Sequence, residues 1–218
     1  MKLSFILSQL KNSELSTSSP TFFSDDKLTS MLNSALIDLF TIFKLKTKEA
    51  IITLDTVNIK TIYSFDGTDP DVKSEGVMLT SGSFMSFVES HNEDGTISLF
   101  NDEEDPFSLF TPEWNTVEVK LLKNRKYVSV IYKTNPILYT TNDVATDPEV
   151  DIPLFFLEPI SMYIGWKVFN AINSKEQFGR DNNAFYARYQ ASVMNIINRG
   201  LLVQDDNYRL NVAGKGYV

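Results

Sequence analysis

Several residue groups in this 218-residue chain have types and spacing that could do chemistry. The run Asn101-Asp102-Glu103-Glu104-Asp105 offers four carboxylates to a divalent cation. Successive loop residues rarely converge on one ion, and calcium loops alternate ligands around a glycine at the sixth position. Adjacent like charges repel each other into water, so a solvated loop is expected here. Lys120, Lys123, Arg125 and Lys126 form the basic concentration of the chain. They span one short stretch without the interleaved aromatics of a nucleic-acid surface. A wet hairpin tip, or a contact to an acidic neighbour, is the expectation. Trp114 and Trp166 sit in apolar-periodic surroundings and read as core or interface anchors rather than ligand stackers. Glu113, Glu118 and Asp55 make no recognisable catalytic pair.

Composition removes further chemistries. The chain has no cysteine, which excludes thiol catalysis and cysteine-ligated zinc, and its one histidine, His91, leaves a Ser-His-Asp triad or multi-histidine metal site implausible. Phosphate-binding glycine loops, GxSxG and HExxH do not occur. No catalytic residue, cofactor or metal is therefore assigned. The net charge of −8 speaks against a protein that grips nucleic acid, since duplex affinity rests on Lys and Arg neutralising phosphates. It suits ordinary solubility, or a surface that DNA must pass without sticking.

The elements that must position these groups begin with Leu3, Ile6, Leu7 and Leu10, one face of a helix over about residues 2–12. The apolar start is too short and too broken by Ser8 and Gln9 for a secretion signal, and no stretch reaches the ~20 apolar residues of a membrane span. A soluble chain, unprocessed at its N-terminus and without a membrane partner, is expected. Residues 13–20 form a Ser/Thr-rich link. Ser24 then reads as the N-cap of a second helix, with Asp25 and Asp26 at the positive end of its dipole. Leu28, Met31, Leu32, Ala35, Leu36, Leu39 and Phe40 hold a 3.6-residue period along it.

From residue 46 to 150 the spacing drops to two and Thr, Val, Ile and Tyr become frequent. Segments 50–57, 58–65, 77–79, 84–88 and 96–100 read as strands, with turns at Asp66-Gly67 and at 91–95. The clearest hairpin is predicted to pair residues 115–122 with 126–133. Several short strands between turn signals indicate an antiparallel sandwich or barrel. Residues 139–150 read as a polar connector.

Pro153 suits the first turn of a third helix, whereas Pro159 should kink it or delay its start. Ile160, Tyr163, Ile164, Val168 and Ala171 make its core stripe. After a break at 173–180, Asn182 or Asn183 should cap a fourth helix whose Ala184, Ala187, Ala191 and Met194 form a small-residue face. Gly200 is placed to end it. The tail 201–218 carries Tyr208, Leu210, Val212, Tyr217 and Val218, more apolar than a free terminus needs. The tail reads either as a frayed terminus or as an arm laid against a neighbour, and on the arm reading these five are the candidate interface residues. Leu210 and Val212 share the spacing of a strand that can pair with a sheet edge.

The run from Asp151-Ile152-Pro153-Leu154 through the aromatic-rich helix to Asn183-Ala184, together with Asn33-x-Ala35 on an acid-capped helix, resembles the head-to-tail adaptor (connector, or head-completion) proteins of tailed bacteriophages. The resemblance covers residues 1–43 and 151–200. It implies an α+β fold: a helical bundle from residues 1–45 and 151–200, carrying an inserted β-domain at 46–150, with a C-terminal arm at 201–218. It also implies a structural virion protein rather than an enzyme, a homo-oligomeric ring, dodecameric in such proteins, docked between portal protein and tail proteins. DNA would pass its lumen without specific binding. The location implied is the virion neck, with assembly in the host cytoplasm. Two other readings fit the same make-up. One is another virion component, such as a tail terminator or fibre-attachment protein; the other is an unrelated carbohydrate- or protein-binding β-module.

Overall fold

The computed structural model describes residues 1–12, 24–54, 60–120, 125–173 and 181–202, with the side chains of 169–173 and 181–183 left aside. The chain is mixed α+β. It divides into a helical unit, Met1–Leu45 with Pro136–Val218, and a β unit, Lys46–Asn135. Residues 136–150, expected with the strands, group with the helices.

In the helical unit, α1 (Leu3–Lys11) buries all four of Leu3, Ile6, Leu7 and Leu10. Its own N-cap, Lys2, makes no side-chain cap. Asp147 caps it from across the unit instead. Held in the left-handed region at φ 46°, it accepts a hydrogen bond at Oδ1 from the Ser4 amide at 2.8 Å. The Leu3 amide donates to Pro148 O at 3.0 Å, so two of the first turn's orphan donors are met. α2 (Asp25–Ile42) buries Leu28, Leu32, Ala35, Leu36, Leu39 and Phe40, as its period requires. Ser24 stands at the N-cap with extended backbone, yet without a side-chain cap hydrogen bond. A short helix, α3 (Asp143–Thr146), interrupts what the sequence presents as a connector.

Pro153 precedes a 3₁₀ turn, Leu154–Phe156, and α4 (Leu157–Asn173) starts after it. Pro159 thus falls in the first turn of α4, where an amide has no intrahelical acceptor to lose. The start is delayed and no kink is needed. α4 packs against both α2 and α5 (Asp181–Asn198). Ile160, Ile164 and Val168 are fully buried and Phe156 meets Phe43 edge-on at 5.3 Å. Asn182 and Asn183 lie inside α5 rather than at its cap. α5 ends as expected: Gly200, at φ 62°, donates to Ile197 O at 2.9 Å and Leu201 to Ile196 O at 3.3 Å, a Schellman closure. Among the described residues no helix is long and apolar enough to cross a membrane.

Among the described residues the β unit has nine strands: β1 (Thr47–Thr53), β2 (Ile62–Ser64), β3 (Val72–Ser74), β4 (Val77–Met78), β5 (Phe84–His91), β6 (Ile97–Ser98), β7 (Leu109–Phe110), β8 (Thr116–Val119) and β9 (Tyr127–Thr134). Six form an antiparallel sheet in the order β4-β3-β1-β9-β5-β6, and three a small sheet in the order β2-β8-β7. Both orders are open-ended, so neither sheet is a closed barrel. The hairpin predicted between 115–122 and 126–133 does not form among the described residues; 121–124 lie outside them. β8 pairs with β2 and β7, while β9 pairs with β1 and β5. Val117 and Val119 still point inward, as do Val128, Val130 and Tyr132, because the two strands supply one core from different sheets. Alternation identifies a strand's buried face but not its neighbour.

Candidate functional site

Tyr208, Leu210, Val212, Tyr217 and Val218, the interface residues expected from sequence, lie outside the described residues. Ala184, Ala187 and Ala191 are described, and all three are solvent-exposed on α5. The face of α5 that packs inward is Tyr189, Ser192, Val193 and Ile196. The small-residue face is therefore an outer one.

Arg125, expected on a wet hairpin tip, is only 6% exposed. One of its terminal nitrogens, Nη2, donates to Asn92 Oδ1 at 2.5 Å, while Nε and Nη1 are buried without a hydrogen-bond partner. Burial pulls its pKa down; the charges of Asp105 and Glu93 act the other way. Lys120, by contrast, is exposed, with its ammonium 4.8 Å over the Phe110 ring. In the acidic loop, Asp102 accepts from the Glu104 amide at 2.9 Å and Asp105 from the Phe107 amide at 2.8 Å. Those carboxylates cap their own turns.

His91 lies 3.2 Å from Glu89, and its cross-strand neighbour on β9 is Ser129. The Ser129 hydroxyl donates to Glu49 and not to the imidazole. A nucleophile activated by histidine needs the opposite arrangement. Trp114, expected in a core or interface, is 72% exposed, with the Phe84 ring tilted against it at 5.9 Å.

A concave site lies among α2, α4 and α5. It is a cavity of about 250 Å³, walled by Tyr163, Trp166, Tyr186 and Tyr189, with Asp38, Lys167 and Gln190 supplying polar groups. Helix geometry assembles it. Tyr163, Trp166 and Lys167 stand at i, i+3 and i+4 on α4, and Tyr186, Tyr189 and Gln190 repeat that spacing on α5, so each set shares a face. The rings interlock: Tyr163 meets Trp166 at 5.5 Å and Tyr189 at 5.4 Å, both edge-on, and Trp166 lies 4.8 Å from Tyr186. Edge-to-face contacts of this kind set positive ring edges against negative faces.

Two charges complete the site. The Tyr189 hydroxyl donates to Asp38 Oδ2. The Lys167 ammonium stands 4.3 Å over Trp166 and 5.3 Å from the Tyr163 centroid. Burial, then the Asp38 charge, pushes the Tyr163 phenol upward, so it stays neutral. Sequence reading assigned Tyr163 to the core and Trp166 to an anchor. The recurring aromatic-x-x-aromatic spacing in two consecutive helices was the signal that they share a cavity.

No protein-family model and no characterised protein matches this sequence.

Proposed function

We propose that this chain is a structural virion protein, a head-to-tail adaptor whose identical subunits close into a ring between portal and tail. In this reading the helical unit is a bundle of N- and C-terminal helix pairs, and the β unit is a sandwich inserted between them. Ring closure requires a heterologous contact, in which one patch on each subunit meets a different patch on the next. The observation that carries the reading is the outer face of α5. Ala184, Ala187 and Ala191 are exposed at helical spacing, and the inward face is already packed. Small side chains let a neighbouring helix approach closely, because interaxial distance is set by the residues at the contact. Leu154, 64% exposed before α4, adds apolar surface to the same unit.

The charge of −8 per chain would line the lumen and keep DNA sliding, with the Lys120–Lys126 segment turned away from it. The tail 203–218 would act as the arm that reaches portal or neighbour. Sedimentation velocity with a portal protein tests the reading. A ring-sized complex, lost on Ala187→Glu and on removal of 203–218, is expected. A chain that stays monomeric beside portal rules it out.

One observation favours a second reading, the binding module. Trp114 is far more exposed than a core tryptophan and sits in the loop between β7 and β8, a rigidly backed aromatic face of the kind that anchors interfaces. If Trp114→Ala leaves portal association intact but removes binding to a glycan or protein array, the module reading replaces the adaptor.

A further inference from the structure

We infer that the cavity among α2, α4 and α5 is a cation-accepting cage that Lys167 occupies in the free chain, and that it takes an arginine side chain of a protein partner in exchange. The inference stands apart from the adaptor reading, since it concerns what the cavity recognises.

The Lys167 ammonium reports on the cage's chemistry. It makes no ion pair among the described residues, and its described partners are the faces of Trp166 and Tyr163, at 4.3 and 5.3 Å. A strongly hydrated ammonium settles on ring faces where their quadrupoles attract it. The carboxylate in the same wall is half used. Asp38 Oδ2 accepts from Tyr189, while Oδ1 carries no hydrogen bond or ion pair among the described residues. The own-chain lysine therefore takes the rings and leaves the carboxylate unanswered.

A guanidinium meets both demands at once. It is planar, stacks on an indole more readily than an ammonium, is more weakly hydrated, and donates through a fork that matches a carboxylate. The cavity, about 250 Å³, is below the ~300–1,000 Å³ of small-molecule pockets and suits a single side chain. Tyr186, 40% exposed at the rim, leaves a way in. Net acidity of the chain adds attraction for a basic partner. Lys167 is anchored by one flexible stem, so it can swing into water as the guanidinium arrives. The cage is thus self-competitive: removing the lysine should strengthen binding, unlike the loss expected at an ordinary site.

The test uses N-acetyl-arginine amide, with N-acetyl-citrulline amide as the uncharged isostere. Trp166 emission is read in full-length Trp114→Phe protein. Arginine amide should shift that emission and citrulline amide should not. Lys167→Gln should tighten arginine binding at least about tenfold, the scale on which a desolvated cation–π contact is lost or gained. Asp38→Asn should weaken it by a similar factor. A second readout needs no variant in the cage: acylation of Lys167, followed by mass spectrometry, should accelerate when arginine amide is present. Equal responses to arginine and citrulline, unchanged or weaker binding in Lys167→Gln, or a Lys167 acylation rate indifferent to arginine would each overturn the proposal. Tetramethylammonium binding as tightly as arginine amide would also overturn it, as it would show a cage for onium groups in which the Asp38 fork has no part.

Discussion

Asn33 holds the backbone of Tyr139 with both ends of its side-chain amide. Its Nδ2 donates to Tyr139 O at 2.8 Å, and its Oδ1 accepts from the Tyr139 amide at 2.9 Å. The side chain thereby does for one residue what a neighbouring strand does for many. It fixes the path of residues 136–141 along α2 and satisfies a donor and an acceptor next to the buried Tyr139 ring.

Asn33→Ala should accordingly destabilise the helical unit by about 1–3 kcal/mol, the cost of leaving such groups unpaired. Asn33→Asp is the sharper variant. At neutral pH its carboxylate can accept from the amide but repels the Tyr139 carbonyl, so it should be no milder than alanine. Once protonated it can donate again, and the gap to wild type should narrow as pH falls. Equilibrium denaturation of the three proteins at two pH values decides the matter; an Asp variant as stable as wild type at neutral pH refutes the clamp.

Leu32 on α2 and Ile164 on α4 are both fully buried, on helices that pack together. Leu32→Ala and Ile164→Ala should each cost ~2–5 kcal/mol in urea denaturation, as aliphatic truncations in close-packed cores do. Changes under ~0.5 kcal/mol in both would mean that these stripes are not core.

Gly67 follows Asp66 in the turn after β2 and has φ 91°. A Cβ there would stand 2.7 Å from Ser81 N and 2.8 Å from Leu79 O, both backbone atoms that cannot swing aside. Gly67→Ala should lower the melting temperature measurably, and Gly67→Val more so. Gly76→Ala serves as the control: it also has positive φ, at 80°, but a Cβ there would meet nothing within 4 Å. A Gly67→Ala protein no less stable than the Gly76→Ala protein would contradict the close approach.

Acid should unfold the protein through a defined set of carboxylates. The Ser4 amide holds Asp147 below its ordinary value, the Lys126 amide does so for Glu93, and the Thr140 amide for Asp143. A carboxyl depressed in the folded state contributes stability above its unfolded pKa, about 4, and loses it as pH falls through the folded value. The melting temperature should therefore be flat near neutrality and fall below about pH 4. Asp147→Ala should lower it at neutral pH and flatten that acid limb. An unchanged limb would show that Asp147 does not cap α1.

The sequence by itself determined which face of each strongly periodic element is buried. Leu3, Ile6, Leu7 and Leu10, then Leu28, Leu32, Ala35, Leu36, Leu39 and Phe40, and Ile160, Ile164 and Val168 lie inside, as their spacing requires, while Met31 of the α2 stripe is half-buried. It also determined the helix stop at Gly200 and narrowed Pro159 to a kink or a delayed start, because these are local backbone constraints that act within one turn. Partner choice lay beyond it. β8 and β9 follow each other closely enough in sequence to suggest a hairpin, yet they belong to different sheets, and the valines of both enter one core. Arg125 read as a surface charge until Asn92, 33 residues earlier, was brought against it. The Asn33 clamp on Tyr139 spans 106 residues, the capping of α1 by Asp147 joins residues 143 apart, and the cage joins Asp38 to Tyr189 across 151. Such contacts form only after the cores have packed and set those groups side by side, and no period or local propensity carries that information.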